Sequence, residues 1–307
     1  MSSILVVGIN GFVGHHLAHE LYVQGFEVLG SGMDTELSAD LKSEVSSYTQ
    51  CDLTKPEEVK LISLDAVSAV INLAGLASVG ASFGKEDLYN KVNVEVQTNI
   101  VDRITELGKN IRVIAVSTGA VYDNHQPMPL NEDSKLTTDS SPYALSKIAM
   151  ENALQKYIDN GADIVIARPF NHVGPGQLGG FLLPDLATQV VNSNKVTVGN
   201  LDTSRDYTDV RDVVKAYVSL ATQEKLSHHI YNICSGKSVR GQEILDIIKN
   251  KLDKPNLVVE VDQARIRLND PVDVVGDNSR LRAETGWQPT IKLEDTIADY
   301  LDSISKS

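Results

Sequence analysis

The sequence predicts an α/β protein: a doubly wound parallel sheet with a smaller α/β lobe in the C-terminal half. Three observations carry that expectation. Apolar runs at residues 4–7, 69–75 and 162–167 are nearly continuous, as in strands covered on both faces. Stretches with helical spacing separate them, and strand–helix alternation of this kind builds a parallel sheet. The first run ends in Gly8, Gly11 and Gly14, and Val13, Leu17 and Leu21 recur at four-residue intervals, which reads as strand, tight turn and amphipathic helix.

In that first unit Gly8 allows a sharp turn, Gly11 lets backbone amides approach a ligand, and Gly14 lets helix and strand pack closely. The exposed amides and positive dipole end of the helix suit a pyrophosphate. Gly25 reads as the helix cap and residues 26–30 as a second strand, followed by Ser31, Gly32, Met33, Asp34, Thr35 and Glu36. Folds of this type contact an adenosine ribose there, through an acid for NAD or a nearby base for NADP. With no Arg or Lys in the segment, Asp34 and Glu36 would repel a 2'-phosphate, so NAD is favoured over NADP; solvated acids that touch nothing are the alternative.

Pro56 opens the next helix, where its missing amide does no harm. Residues 69–75 read as a central strand, 88–107 as a polar helix and 112–117 as another strand. Ser141 and Pro142 start a helix as cap and first-turn residue, and residues 162–167 form a further buried strand. Pro169, Gly174, Pro175, Gly176, Gly179 and Gly180 then mark a functional loop and a passage into a second lobe. A helix at 209–221 precedes a strand at 229–233 that is expected to return to the sheet, while helices at 241–252 and 293–305 belong to the smaller lobe. The expected division is residues 1–168 with 207–235 as dinucleotide-binding domain, and 169–206 with 236–307 as substrate-binding lobe.

A chain of 307 residues exceeds a typical single core, so one large or two interlocked domains are expected. The net charge of -13 argues against nucleic acid or an anionic membrane as partner, since either needs a broad basic face. Cys51 and Cys234 are too few for a disulfide framework or zinc cluster and read as core thiols. No charged-then-apolar leader precedes Ile4, and the longest apolar run, residues 66–81, is broken by Ser68, Asn72 and glycines, so a cytoplasmic protein is expected. His15, His16 and His19 fall on the first helix with no carboxylate or cysteine companion, so they read as solvated histidines and no metal is expected. Residues 80–84 match the Gly-x-Ser-x-Gly pattern of a hydrolase elbow, but lie several residues beyond the strand end at Gly75.

The chemistry concentrates at Tyr143 and Lys147, one helical turn apart on one face. A tyrosine hydroxyl is a poor acid or base near neutrality, and an adjacent ammonium is expected to lower its pKa by favouring phenolate. The lysine's other donors suit a ribose. Upstream, a strand ends in Val116, Ser117 and Thr118, whose hydroxyl is placed to hydrogen-bond the oxygen that the tyrosine protonates.

Gly8 to Gly14, Asp52 and Leu53, the Asn72-Leu73-Ala74-Gly75 run, Asn93, Ser117 and Thr118, and Tyr143 to Lys147 together resemble the ordered signature of the extended short-chain dehydrogenase/reductase family. The resemblance covers nearly the whole chain. It implies a Rossmann-like fold, NAD(P) along the glycine turn formed by Gly8, Asn10, Gly11, Phe12, Val13 and Gly14, and Asp34 at the ribose. It further implies Asp52 and Leu53 near adenine, Ala74, Gly75 and Asn93 near the cofactor, and Thr118, Tyr143 and Lys147 as the catalytic set, with Tyr143 and Lys147 also touching the cofactor. In the second half, residues 168–177, 204–213, 232–236 and 286–289 are similar to the branch of GDP-mannose 4,6-dehydratases and GDP-4-dehydro-6-deoxymannose reductases.

One departure separates those two activities. Dehydratases carry acidic or polar residues just after the catalytic Ser/Thr, because loss of water from the sugar needs a further acid/base, whereas this chain has Gly119 and Ala120. Neither moves a proton, so hydride transfer to a 4-keto-6-deoxy sugar is favoured. The resemblance implies a nucleotide-diphosphate sugar, GDP-linked, as substrate, with Asn171 and Arg205 contacting it. Arg267 is a further candidate that lacks the proline which follows it in the family. The alternative for Arg205 is an ion pair with Asp206 or Asp209 on a solvated surface. Guanidinium forks suit phosphate oxygens. The alternatives are a nucleotide-sugar 4-epimerase or 4-dehydrogenase that retains NAD, and a non-catalytic NAD(P) sensor. The helices at 88–107 and 143–157 are implied to pair with a second copy as a homodimer.

Overall fold

The computed structural model describes residues 2–266 and 270–305. The chain opens with β1 (Ser3–Val7), α1 (Phe12–Val23), β2 (Glu27–Gly32), β3 (Ser47–Gln50), α2 (Pro56–Val59) and β4 (Val67–Asn72). It continues through α3 (Val79–Ser82), α4 (Glu86–Glu106), β5 (Arg112–Val116), α5 (Pro142–Asp159) and β6 (Ile164–Pro169). The second half holds β7 (Asn171–Val173), α6 (Leu182–Asn192), β8 (Lys195–Val198), β9 (Ser204–Asp209), α7 (Val210–Thr222) and β10 (Ile230–Ile233). It ends with β11 (Ser238–Arg240), α8 (Gly241–Lys251), β12 (Val258–Val261), β13 (Asp273–Val274), α9 (Ser279–Thr285) and α10 (Leu293–Ser305).

Seven parallel strands form the main sheet in the order β10-β6-β5-β4-β1-β2-β3. Apolar residues lie on both sides of the central strands, so both faces must be covered. One is covered by α1 and α7, where Leu17 and Leu21 meet Val213, Val214 and Leu220. The other is covered by α4 and α5, through Val96, Ile100, Met150 and Leu154. The strand order reverses between β1 and β4, and the crevice beyond their C-terminal ends is where open α/β sheets bind ligands.

The smaller lobe has its own core, from Leu183, Leu186 and Val190 of α6 to Ile244, Ile248, Ile297 and Tyr300. Its mixed sheet has the order β11-β9-β13, with β7 also pairing β9, and β12 pairs β8 separately. Two differences from the sequence expectation are physical. The proline- and glycine-rich passage after Pro169 contains β7, three residues too short to show a period. Residues 207–209 belong to β9 in the small sheet, so the chain rejoins the large sheet's flank only at Val210.

Close packing at the first turn depends on an absent side chain. A Cβ on Gly14 would lie 2.3 Å from the Ile9 carbonyl oxygen and 2.6 Å from that of Gly8, both backbone atoms that cannot swing aside. Gly14→Ala is therefore expected to destabilise the fold by about 1–3 kcal/mol, as overpacking does. Urea denaturation checks this, and wild-type stability in the variant would contradict it.

Candidate active site

The turn after β1 and the loop after β4 lie side by side at the crevice. Gly8 has φ +79°, and its amide donates to Ser31 O at 2.7 Å, which anchors the turn to the end of β2. No side chain caps α1, whose N-cap is Gly11, so its first amides remain available to an anion. Asn10 is a brace: its Nδ2 donates to Asp34 Oδ2 at 3.0 Å and to Glu36 O at 2.9 Å, and its Oδ1 accepts from the Ser38 amide. Val13 packs on the core beneath. Phe12 lies edge-on to His16 and stacked on His172, at centroid distances of 5.5 and 6.2 Å. The 170–177 segment thus covers the start of α1.

This arrangement corrects the reading of the helix histidines as solvated for His16, whereas His19 is exposed as expected. His16 bonds Pro175 O at 2.8 Å, and burial lowers its pKa. His19 contacts Glu44 at 2.7 Å and His15 faces Asp40 at 3.4 Å, carboxylate companions that come from distant sequence. Among the described residues no three His, Cys, Asp or Glu side chains converge on a metal position. Asp52 accepts from the hydroxyl and amide of Thr54, which hold its carboxyl below the usual range, and Leu53 is buried beside it. Ser82 is buried and bonded to Val79 O, so the elbow-like pattern is a structural turn.

After β4 the backbone takes a form that only glycine adopts readily: Gly75 has φ +149°. A Cβ there would lie 2.7 Å from Asn93 Oδ1 and 3.5 Å from Lys147 Nζ. Ala74 donates to Asn72 Oδ1, and its amide nitrogen lies 3.2 Å from where a Gly8 Cβ would stand. The Asn93 amide is fully engaged by protein, accepting from Leu76 N and donating to Leu76 O and Ser146 Oγ. Its influence on a bound molecule therefore runs through the loop it holds.

Thr118 follows β5 and caps a short turn by accepting from Ala120 N at 3.2 Å. α5 starts where Ser141 accepts from Ala144 N and Pro142 fills its first turn, and it delivers Tyr143 and Lys147 to the crevice. The Tyr143 phenol neighbours the Thr118 hydroxyl, and Lys147 Nζ donates to Val116 O at 2.8 Å. The expected lowering of the Tyr143 pKa is not what this arrangement produces. Burial raises it and the Thr118 hydroxyl only partly offsets the rise, because the ammonium is aimed at Val116 O. Burial also pulls Lys147 down to about 8, against a rise caused by the Glu151 charge.

On the lobe side, Asn171 is exposed and pairs in register with Tyr207, two residues beyond Arg205, so Asn171 and Arg205 share a sheet face. Arg205 bonds neither Asp206 nor Asp209. Its Nη2 donates to Asp270 Oδ1 at 2.6 Å and its Nη1 to Ser204 O and Pro271 O. Arg267 lies outside the described residues. Sequence reasoning missed Asp270 and also Phe170, whose ring lies 2.8 Å from where a Gly119 Cβ would stand. Neither contact leaves a local sequence signal. Glu151 was also missed, although its four-residue spacing from Lys147 is visible in the sequence.

Three comparisons bear on this geometry. The sequence pattern of the NAD dependent epimerase/dehydratase family matches residues 4–234. The chain is 29% identical to the GDP-6-deoxy-D-mannose reductase of Pseudomonas aeruginosa, over 97% of this chain and 95% of that one. It is 26% identical to the UDP-glucuronate 4-epimerase of Thermodesulfobacterium geofontis, over 97% and 94% of the two chains. In three dimensions it matches the structure of RMD from Pseudomonas aeruginosa complexed with NADPH, with a TM-score of 0.84, 27% identity, and 100% and 99% coverage of the two chains.

Buried Lys147 makes stability depend on pH. Its folded pKa, about 8, lies below the ordinary value of 10.5, so the unfolded chain binds the extra proton between those values and stability rises with pH across that window. Relative to Lys147→Met, the wild type should gain up to about 3 kcal/mol between pH 7 and pH 10.5. Urea titrations across that range measure the difference, and parallel curves for the two proteins would contradict it.

Proposed function

This chain belongs to the NAD dependent epimerase/dehydratase family, and we propose that it is a cytoplasmic reductase of a nucleotide-diphosphate 4-keto-6-deoxy sugar, GDP-linked, using NADH in preference to NADPH. The observation that carries the reading is that the two positions after Thr118 hold no side chain able to move a proton. The Thr118 hydroxyl neighbours the Tyr143 phenol, while the next positions are Gly119 and Ala120. The Phe170 ring fills the space that a side chain at 119 would need. Loss of water from a sugar requires another acid or base there; protonation of a ketone oxygen does not.

Reduced nicotinamide, when bound, supplies the hydride. The uncapped start of α1 fits its pyrophosphate, and Asp34, steadied by Asn10 at the end of β2, fits a ribose diol and opposes a 2'-phosphate. Tyr143 donates its proton to the sugar oxygen while the Thr118 hydroxyl hydrogen-bonds the same atom. A phenol whose pKa is raised by burial is protonated at neutral pH, the form that reduction needs and that alcohol oxidation does not. Lys147 then opposes the phenolate left behind. Asn171 and Arg205 hold the diphosphate from the smaller lobe, and a second copy packs against α4 and α5.

The test is to mix the protein with NADH or NADPH and a panel of nucleotide keto-sugars and follow the loss of reduced-cofactor absorbance. Stoichiometric oxidation with a GDP-linked 4-keto-6-deoxy sugar is expected, faster with NADH. Tyr143→Phe should lower kcat by about 10²–10⁴-fold with little change in KM. No oxidation with any member would overturn the reading, and interconversion of 4-epimers without net cofactor use would assign an epimerase instead.

A further inference from the structure

Three consecutive residues at the end of β5 are each held by a different residue of α5. Val116 O accepts from Lys147, Ser117 Oγ donates to Glu151, and the Thr118 hydroxyl meets the Tyr143 phenol. Tyr143, Lys147 and Glu151 are four residues apart and so lie along one helical face. The proposed chemistry uses the first two and leaves Glu151 unexplained.

Glu151 is buried, and the guanidinium of Arg168 clamps both its carboxylate oxygens, Nε to Oε1 at 3.0 Å and Nη2 to Oε2 at 2.6 Å. Arg168, at the end of β6, is itself buried and also donates to the Tyr122 hydroxyl at 2.9 Å, which donates in turn to Asn232 Oδ1. An ion pair this deep is weak evidence for stability, because desolvating two charges offsets much of their attraction. It does place a fixed carboxylate one helical turn from Lys147 and directly on Ser117.

We propose that Glu151, clamped by Arg168, is a positioning residue for the reaction: it fixes the Ser117–Thr118 step against the Tyr143 phenol and supplies the negative charge that keeps Lys147 an ammonium. Among the described residues, Glu151 is the charged group that acts on Lys147. Its own helix offers Tyr143 and Glu151, the end of β5 offers the Val116 carbonyl, and the β4–α4 side offers Gly75 backbone and the neutral Asn93 amide. Arg168 on β6 reaches it only through Glu151. Burial drives the Lys147 pKa down, and Glu151 is the group that drives it up.

The inference rests on the reductase reading only in its kinetic arm, so the decisive arm needs no substrate. In protein carrying lysine labelled with ¹³C at Cε, the Lys147 resonance is assigned by its loss in Lys147→Arg and titrated in Glu151→Gln, in the double variant Glu151→Gln/Arg168→Gln, and in Ser117→Ala. The double variant leaves no orphaned buried cation if the single one fails to fold. The Lys147 midpoint should fall by about one unit or more in the charge-removing variants and stay fixed in Ser117→Ala. With substrate, the alkaline limb of kcat should move down equally in those variants, whereas Ser117→Ala should lose about tenfold in kcat with its limb unmoved. A Lys147 midpoint unchanged in the folded double variant, or wild-type kcat in Ser117→Ala, would overturn the proposal. A shifted midpoint in a protein that oxidises no cofactor would uphold the charge role while removing the reductase reading.

Discussion

The docking of α5 on the end of β5 fixes most of what the crevice can do. Tyr143 and Lys147 approach Thr118 and Val116 with water excluded, and that exclusion acts on the two groups in opposite directions: the phenol is held in its protonated form and the ammonium is made easier to deprotonate. A surface pair with the same spacing would have neither property. The desolvation that makes hydrogen bonds between these groups strong also makes the loss of any one of them expensive.

The smaller lobe is tied to this frame through three buried aspartates around β9 and α7. Asp206 accepts from the Ser235 amide and hydroxyl and from the Gly236 and Gly276 amides, drawing the end of β10 and the segment after β13 together. Asp209 caps α7, bonds Arg211 and accepts from the Thr296 hydroxyl of α10. Asp212 gathers the Thr290 and Ile291 amides while its carbonyl accepts from Trp287. Each satisfies backbone donors that burial would otherwise leave unpaired. The strand face that carries Asn171 and Arg205 is therefore presented from a scaffold anchored to the large sheet rather than from a free loop.

What the sequence made legible follows from how local each signal is. β1 with its glycine turn, the apolar strands at 69–72 and 164–167, and α10 at Leu293–Ser305 announce themselves by run length, period and capping residues. The catalytic spacing of Tyr143 and Lys147 is equally local. The small sheet was hidden because β7, β11 and β13 are two to three residues long and pair across large sequence separations. Asp270 on Arg205, Phe170 against Gly119 and Pro175 on His16 are likewise contacts that only the folded chain creates. The direction of the Tyr143 shift was misjudged for the same reason: spacing reveals that a cation is near, whereas burial and the aim of its ammonium are properties of the fold.

The most direct measurement of the central claim is a crystal structure of the protein with NAD and a nucleotide-sugar product. The account predicts the pyrophosphate on the amides of the Gly8–Gly14 turn, and the Tyr143 and Thr118 hydroxyls both within hydrogen-bonding distance of the sugar 4-oxygen. A phenol turned away from that oxygen, or a pyrophosphate seated elsewhere, would contradict it.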